Sequence, residues 1–214
     1  MFVLVHPEEK TMKTLPAILA LLLSAIVPPA HGSDKTASGS GDLGGRLAAL
    51  YEEEILAHDL YVAFGKQWPE VRPFQSIPRS EQMHREAMAG ILKNSRVPLP
   101  RSASGQKFAT SGLNDLFDRL RNQGGESETA ALRAGALIEE KDIADLRSMQ
   151  AELKSESDKA VLANLEAASG NHFRAFVRNL EARGEQYSPS VLSQADANKI
   201  LAGALSGGCC AGAR

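Results

Sequence analysis

Four stretches of this chain place apolar residues at alternating steps of three and four, and in each the stripe is broken by a carboxylate, an imidazole or both. Such steps mark the seam of a helix packed against other helices, where apolar side chains belong. The first stretch carries Leu47, Leu50, Glu54, Ala57, Tyr61 and Phe64, and the second Ile77, Glu81, His84, Met88 and Ile91. The third carries Leu132, Gly135, Glu139, Asp142, Leu146 and Met149, and the fourth Leu165, Ser169, His172 and Phe176. An unpaired carboxylate buried in a seam costs several kcal/mol, so polar groups in four seams need a common partner. Divalent cations supply one. With Glu54, Glu81, Glu139 and Asp142 ionised, a charge of about −4 balances two such ions, while His84 and His172 add neutral nitrogen donors.

Carboxylate-rich sets with few imidazoles suit iron or manganese better than zinc or copper. Glu81 and His84 stand three residues apart, so both can reach one ion. Taken singly, a Glu-x-x-His pair is commonest as a solvent-facing pair, and Glu139 with Asp142 as an acidic patch. It is their coincidence with the apolar stripes of four helices that points to metal. Glu52, Glu53 and Glu140, in acidic runs beside the seam positions, are expected to be solvated, and Glu166 to lie on the surface.

Ala and Leu outweigh β-branched residues, and aromatics are only 5% of the chain, which favours helix over sheet. An all-α fold is expected: a four-helix bundle with a long crossover carrying a short helix between the second and third helices, plus a short C-terminal helix. The first helix is predicted from Leu47 to Lys66, and the second opens at Ile77-Pro78 behind Ser76 as N-cap and closes before Pro98. The crossover, Val97 to Gly125, holds a helix over Leu113 to Gln123 that Gly124-Gly125 ends. The third long helix starts behind Ser127 and reaches Leu153, the fourth runs from Asp158 to Arg183, and Ser193 caps a last helix from Gln194 to Leu201.

The bundle is thus placed at 46–202, behind a Ser/Gly-rich linker at 33–45 and ahead of a Gly/Cys tail at 203–214 that is expected to be disordered. Residues 1–32 have the pattern of a signal peptide: Lys13, an apolar run from Leu15 to Val27, then Pro28, Pro29 and Ala30-His31-Gly32. Met12 makes a better start for it than Met1, which would leave residues 1–11 as an upstream extension. Export to the periplasm or the medium is expected, with no stable membrane insertion after cleavage. The 24 Lys and Arg nearly balance the 26 Asp and Glu, which offers no footprint for nucleic acid. Cys209 and Cys210 are adjacent, a spacing that disfavours a relaxed bridge, and with no C-x-x-C pair the chain has no thiolate site of the rubredoxin kind.

These residues resemble the ferritin-like superfamily. Glu54-x-x-Ala57-x-x-x-Tyr61 is similar to the first-helix signature of rubrerythrin-type di-iron proteins, and Glu81-x-x-His84 to their second-helix motif. The closer resemblance is to the domain-of-unknown-function family 2202, over about Arg46 to Leu201. It is carried by Glu52-Glu53-Glu54, Ser80-Glu81-Gln82-Met83-His84, the run from Gly135 to Leu146, and Asn171-His172-Phe173-Arg174-Ala175-Phe176. The resemblance implies a ferritin-like four-helix bundle in which Glu54 and His84 hold one ion, Glu139 and His172 the other, and Glu81 bridges them. The pattern expects a second Glu-x-x-His on the fourth helix, but Ser169 stands three before His172, so one bridging carboxylate is missing and Asp142 is the candidate to replace it.

The implied cofactor is two iron ions, with manganese the alternative. Three functions follow from it: an oxidoreductase of the peroxidase or ferroxidase type, a binding module that sequesters metal, and a bundle that an ion only stabilises. An enzyme would take oxygen or peroxide and would need an external electron donor. Tyr61, in the same seam, is its candidate catalytic residue, with core packing as the simpler role. Ferritin-like bundles often pair, so a homodimer is among the expected assemblies.

Overall fold

Long stretches free of proline, rich in Ala, Leu and Glu and bounded by Ser, Gly or Pro, support helices. The computed structural model describes residues 41–101 and 108–203, apart from the side chains of residues 41 and 42. Among these residues there are seven helices and no strand: α1 (Gly41–Gln67), α2 (Pro73–Ser76), α3 (Pro78–Asn94), α4 (Leu113–Gly124), α5 (Glu128–Glu152), α6 (Glu156–Glu181) and α7 (Gln194–Ala202). The expected signal peptide, the linker up to residue 40 and the tail from residue 204 lie outside them, as do Cys209 and Cys210. None of the described helices is long and apolar enough to cross a membrane.

The caps expected at two helices are in place: the Ser127 hydroxyl accepts from the Ala130 amide at 3.1 Å, and Ser193 from that of Asp196 at 3.1 Å. Ser76 is not a cap. Ile77 precedes α3 in helical conformation, φ −72° and ψ −35°, and the Ser76 hydroxyl donates instead to the Arg72 carbonyl at 3.2 Å, inside the one-turn helix α2. At the opposite end of α3, Arg96 adopts φ +58° as the chain leaves the helix. The linker boundary also moves, since α1 reaches back to Gly41. Leu43 packs on the core there, and Gly44 lies so close to Val97 that an added Cβ would stand 3.3 Å from a Val97 methyl. The small residues that resemble a linker permit close packing here.

α1 packs on α3 and α5, α6 packs on α5 and α3, and α4 lies across α1 and α5. The apolar core is divided in two. One cluster joins Leu47 and Leu50 at the start of α1, Met88, Ile91 and Leu92 at the end of α3, Leu146 and Met149 late in α5, and Leu162 and Leu165 early in α6. The other joins the end of α1, α2, α4, the start of α5, the end of α6 and α7. It follows that α1 and α6 run one way along the bundle and α3 and α5 the other. The segment from α3 to α5 therefore travels the length of the bundle, with α4 on its way back.

Gly135, on the α5 seam, marks a tight contact, since a Cβ there would stand 2.6 Å from the Phe176 ring. That ring packs 5.2 Å from Tyr61, centroid to centroid. Gly135→Ala is expected to lower stability by about 1–3 kcal/mol through overpacking. A thermal melt unchanged from wild type would contradict this.

Candidate metal centre

The polar seam residues fill the layer between the two apolar clusters. Glu54 follows Leu50 by one turn, Glu81 and His84 lie between Ile77 and Met88, Glu139 and Asp142 precede Leu146, and Ser169 and His172 follow Leu165. Glu54, Glu81 and Glu139 are 2% exposed, His84 4%, Asp142 8% and His172 9%, so water screens none of their charges well.

Their donor atoms form two groups that share one residue: Glu54, Glu81 and His84 in the first, and Glu81, Glu139 and His172 in the second, with the donor atoms of each group within 4.8 Å of one another. Glu81 reaches both imidazoles, its Oε2 lying 2.9 Å from His84 Nδ1 and its Oε1 2.9 Å from His172 Nδ1. Glu54 Oε2 is 3.3 Å from His84 Nδ1, and Glu139 Oε2 is 3.5 Å from His172 Nδ1. The two imidazole rings stack with centroids 5.4 Å apart.

Proximity here is not hydrogen bonding. Glu54 Oε1, Glu81 Oε1, His84 Nδ1, Asp142 Oδ1 and His172 Nδ1 are all buried without a hydrogen-bond partner. Buried polar atoms left so cost about 1–3 kcal/mol each. Donor atoms that crowd together without N–H···O alignment fit a shared cation, and the donor set, oxygen-rich with two nitrogens, fits iron or manganese.

Neighbouring groups orient the ligands. Tyr61 donates its hydroxyl to Glu139 Oε1 at 2.7 Å, with its ring among Phe74 and Phe176, which is the packing role with its hydroxyl satisfied. Ser80 Oγ lies 3.3 Å from His84 Nε2 and engages the nitrogen that faces away from the acids. Asp142 belongs to neither group. Its Oδ2 accepts from Ser169 Oγ at 2.5 Å.

The electrostatics show how much charge the layer concentrates. Burial acts to lower the His172 pKa, but the Glu81 and Glu139 carboxylates outweigh it and push the imidazole up to about 10. Burial acts likewise on His84, where Glu54 and Glu81 raise it well above the ordinary imidazole value. Burial would raise Glu81, yet the charges of His172 and His84 hold it well below the carboxylate range. Glu54 goes up to about 7 by burial, against the pull of His84. Asp142 is pushed far up by burial and by Glu54 and Glu139, and Glu139 rises by burial and by Glu81. Apart from Glu81, these groups hold their protons more tightly here than they would in water.

The acids expected to be solvated are not. Glu52 is fully buried and accepts from the amides of Ala109 and Thr110, both at 2.7 Å, which ties the crossover to α1. Glu140 is fully buried as well, accepting from the amides of Ser190, Val191 and Leu192 at 3.0, 2.9 and 2.9 Å and from the Tyr187 hydroxyl. Glu53 is largely covered and pairs with Lys141. Glu166, off the seam as expected, pairs with Arg147 at 2.7 Å. One signal for Glu140 was present: Ala131 to Ile138 is apolar all round except at Arg133, the pattern of a helix covered on most sides. Glu140→Gln is expected to cost about 1–3 kcal/mol, because an amide accepts from those backbone donors more weakly than a carboxylate does. A urea midpoint equal to that of wild type would contradict it.

The described residues therefore define an all-helical bundle with a layer of carboxylates and imidazoles across its core. The chain belongs to the family of the uncharacterized protein domain DUF2202, which matches residues 45–204. It is 36% identical over 156 residues to the uncharacterized protein MJ0754 of Methanocaldococcus jannaschii, a match that spans 72% of this chain and 84% of that one. It is also similar to the crystal structure of hypothetical protein MJ0754 from Methanococcus jannaschii DSM 2661, with a TM-score of 0.73 and 32% identity over 81% of this chain and 99% of that one.

Proposed function

We propose that this chain is a ferritin-like protein that holds two iron ions, or manganese in their place, and works as an oxidoreductase of the peroxidase or ferroxidase type. The observation that carries this reading is Glu81, whose two oxygens lie 2.9 Å from the imidazoles of two separate donor groups while its surroundings leave it buried. The ferritin-like assignment is supported by the helix directions, α1 and α6 against α3 and α5, with the crossover running the length of the bundle.

Glu54, Glu81 and His84 would hold one ion, and Glu81, Glu139 and His172 the other. Three protein ligands to each leave coordination positions for a small molecule. Two ferrous ions there would supply the two electrons that, with two protons, cleave the O–O bond of peroxide to water and leave ferric iron. Burial keeps bulk water from the site. Tyr61, which donates its one hydroxyl proton to Glu139, orients that carboxylate. With no thiolate iron site in the sequence, each turnover draws on an external electron donor. Residues 1–32 and their signal-peptide pattern support export, so that the donor and the oxidant would both be met outside the cytoplasm.

Anaerobic titration with ferrous iron, followed by peroxide, tests the reading. Uptake of two ions per chain and a ferric absorption band that grows with peroxide are expected. Iron bound tightly but left ferrous by peroxide would remove the enzyme and leave a sequestering module.

A further inference from the structure

On α3 a carboxylate and an imidazole stand three residues apart, as Glu81 and His84; on α6 the equivalent pair is a hydroxyl and an imidazole, Ser169 and His172. The acid that faces Ser169 comes from α5. Ser169 is fully buried, and its Oγ lies 2.5 Å from Asp142 Oδ2 and 3.0 Å from the Leu165 carbonyl. This contact fixes one oxygen of Asp142. The other, Oδ1, is buried and has no hydrogen-bond partner.

Among the groups whose charges act on Asp142 are Glu54, Glu139 and His84, of which two are acids and the third turns its Nδ1 to Glu54 and Glu81, while the Tyr61 hydroxyl, which also feels Asp142, donates to Glu139. Glu54 and Glu139 are the unshared acids of the two donor groups, so Asp142 lies within reach of both charges, while Glu81 links the groups through the imidazoles. A buried carboxylate that feels two further acids, held by one oxygen and without a hydrogen bond at the other, is placed for a cation.

We propose that Ser169 is a positioning residue that fixes Asp142 so that its free Oδ1 becomes an additional ligand of the cation pair. The carboxylate that α6 lacks is thereby supplied from α5. This rests on the two-ion reading above and adds a sixth protein side chain to the site. Through Asp142 the four carboxylates would balance two divalent ions, with the hydroxyl of Ser169 setting which oxygen faces them.

Manganese(II) alone is the probe, with the free ion counted by its electron paramagnetic resonance signal and the coupled pair by its own spectrum. Wild type is expected to bind two ions. Ser169→Ala should weaken the second by about 10- to 100-fold, the usual effect of removing a group that orients a ligand, and should alter the coupled spectrum. Ser169→Thr, which keeps the hydroxyl, should restore both. Asp142→Asn should weaken binding at least as much, and the double variant Ser169→Ala with Asp142→Asn should be no worse than Asp142→Asn alone, since the hydroxyl acts only through that acid. Two ions bound with wild-type affinity and spectrum in Ser169→Ala, or fully additive losses in the double variant, would overturn this proposal alone. A wild-type chain that takes up no manganese and no iron would overturn the two-ion reading along with it.

Discussion

Glu81→Gln is expected to abolish tight binding of both ions, with affinity lowered by more than about 100-fold, since loss of a ligand exceeds the usual effect of losing a group behind one. The size follows from position: Glu81 is the one residue common to both donor groups, and each of its oxygens faces a different imidazole. Glutamine keeps the shape but offers a single carbonyl oxygen and turns an NH2 toward one of the sites. In the metal-free chain the same change breaks a buried charged cluster. Breaking a buried pair costs about 3–5 kcal/mol, which a urea melt reads directly. By contrast, Glu166→Gln removes only a partly exposed pair with Arg147, and metal uptake should be unaffected. Equal uptake by wild type and Glu81→Gln would contradict the arrangement.

Metal and pH are expected to govern stability together. In the metal-free chain His172 is raised from 6.5 to about 10, so its contribution is full below pH 6.5 and is lost as pH rises through 10. Glu54 is raised from 4.5 to about 7, so ionising it in the fold costs stability progressively between those values. Both groups give the native state more protons than the unfolded chain, and stability must fall as pH rises from 5 to 10, by about 1.4 kcal/mol per pH unit for each excess proton. Glu81 works in the opposite direction but only in acid, where its contribution is lost as pH drops below the ordinary carboxylate range. On the proposed two-ion reading, bound cations would replace those protons. At a free concentration a thousandfold above its Kd, an ion adds about 4 kcal/mol, or roughly 8–16 °C in Tm for a chain of this size. Melts of loaded and chelated protein at several pH values should therefore diverge as pH rises. Curves that stay parallel across the range would contradict this.

Most of what positions the site was legible because helical periodicity is a strong signal. Each of the seam residues named on the four helices, from Leu47 to Phe176, is buried, the polar ones included. Helix ends marked by a side-chain hydroxyl, Ser127 and Ser193, were readable too, because a cap acts within three residues of its own position. Interactions that reach across the chain were not. Glu52 and Glu140 sit in acidic runs, and their partners include backbone amides 57 and 50 or more residues away; the all-round apolar stretch before Glu140 marks a covered helix but names no partner. Ser76 failed as a cap because the one-turn helix before α3 keeps the backbone helical through Ile77. The start of α1 was hidden by Gly and Asp, whose composition suits a linker, although Gly44 is small because Val97 packs on it. Asp142 was in the right seam, yet only the fold shows it bound to Ser169 and outside both donor groups.

Anomalous diffraction from crystals of the iron-loaded protein locates bound ions without reference to activity. Two iron peaks per chain are expected in the layer between the apolar clusters, each ligated by one imidazole and both by Glu81. Peaks confined to the surface, or no peak within reach of Glu81, would contradict the two-ion reading.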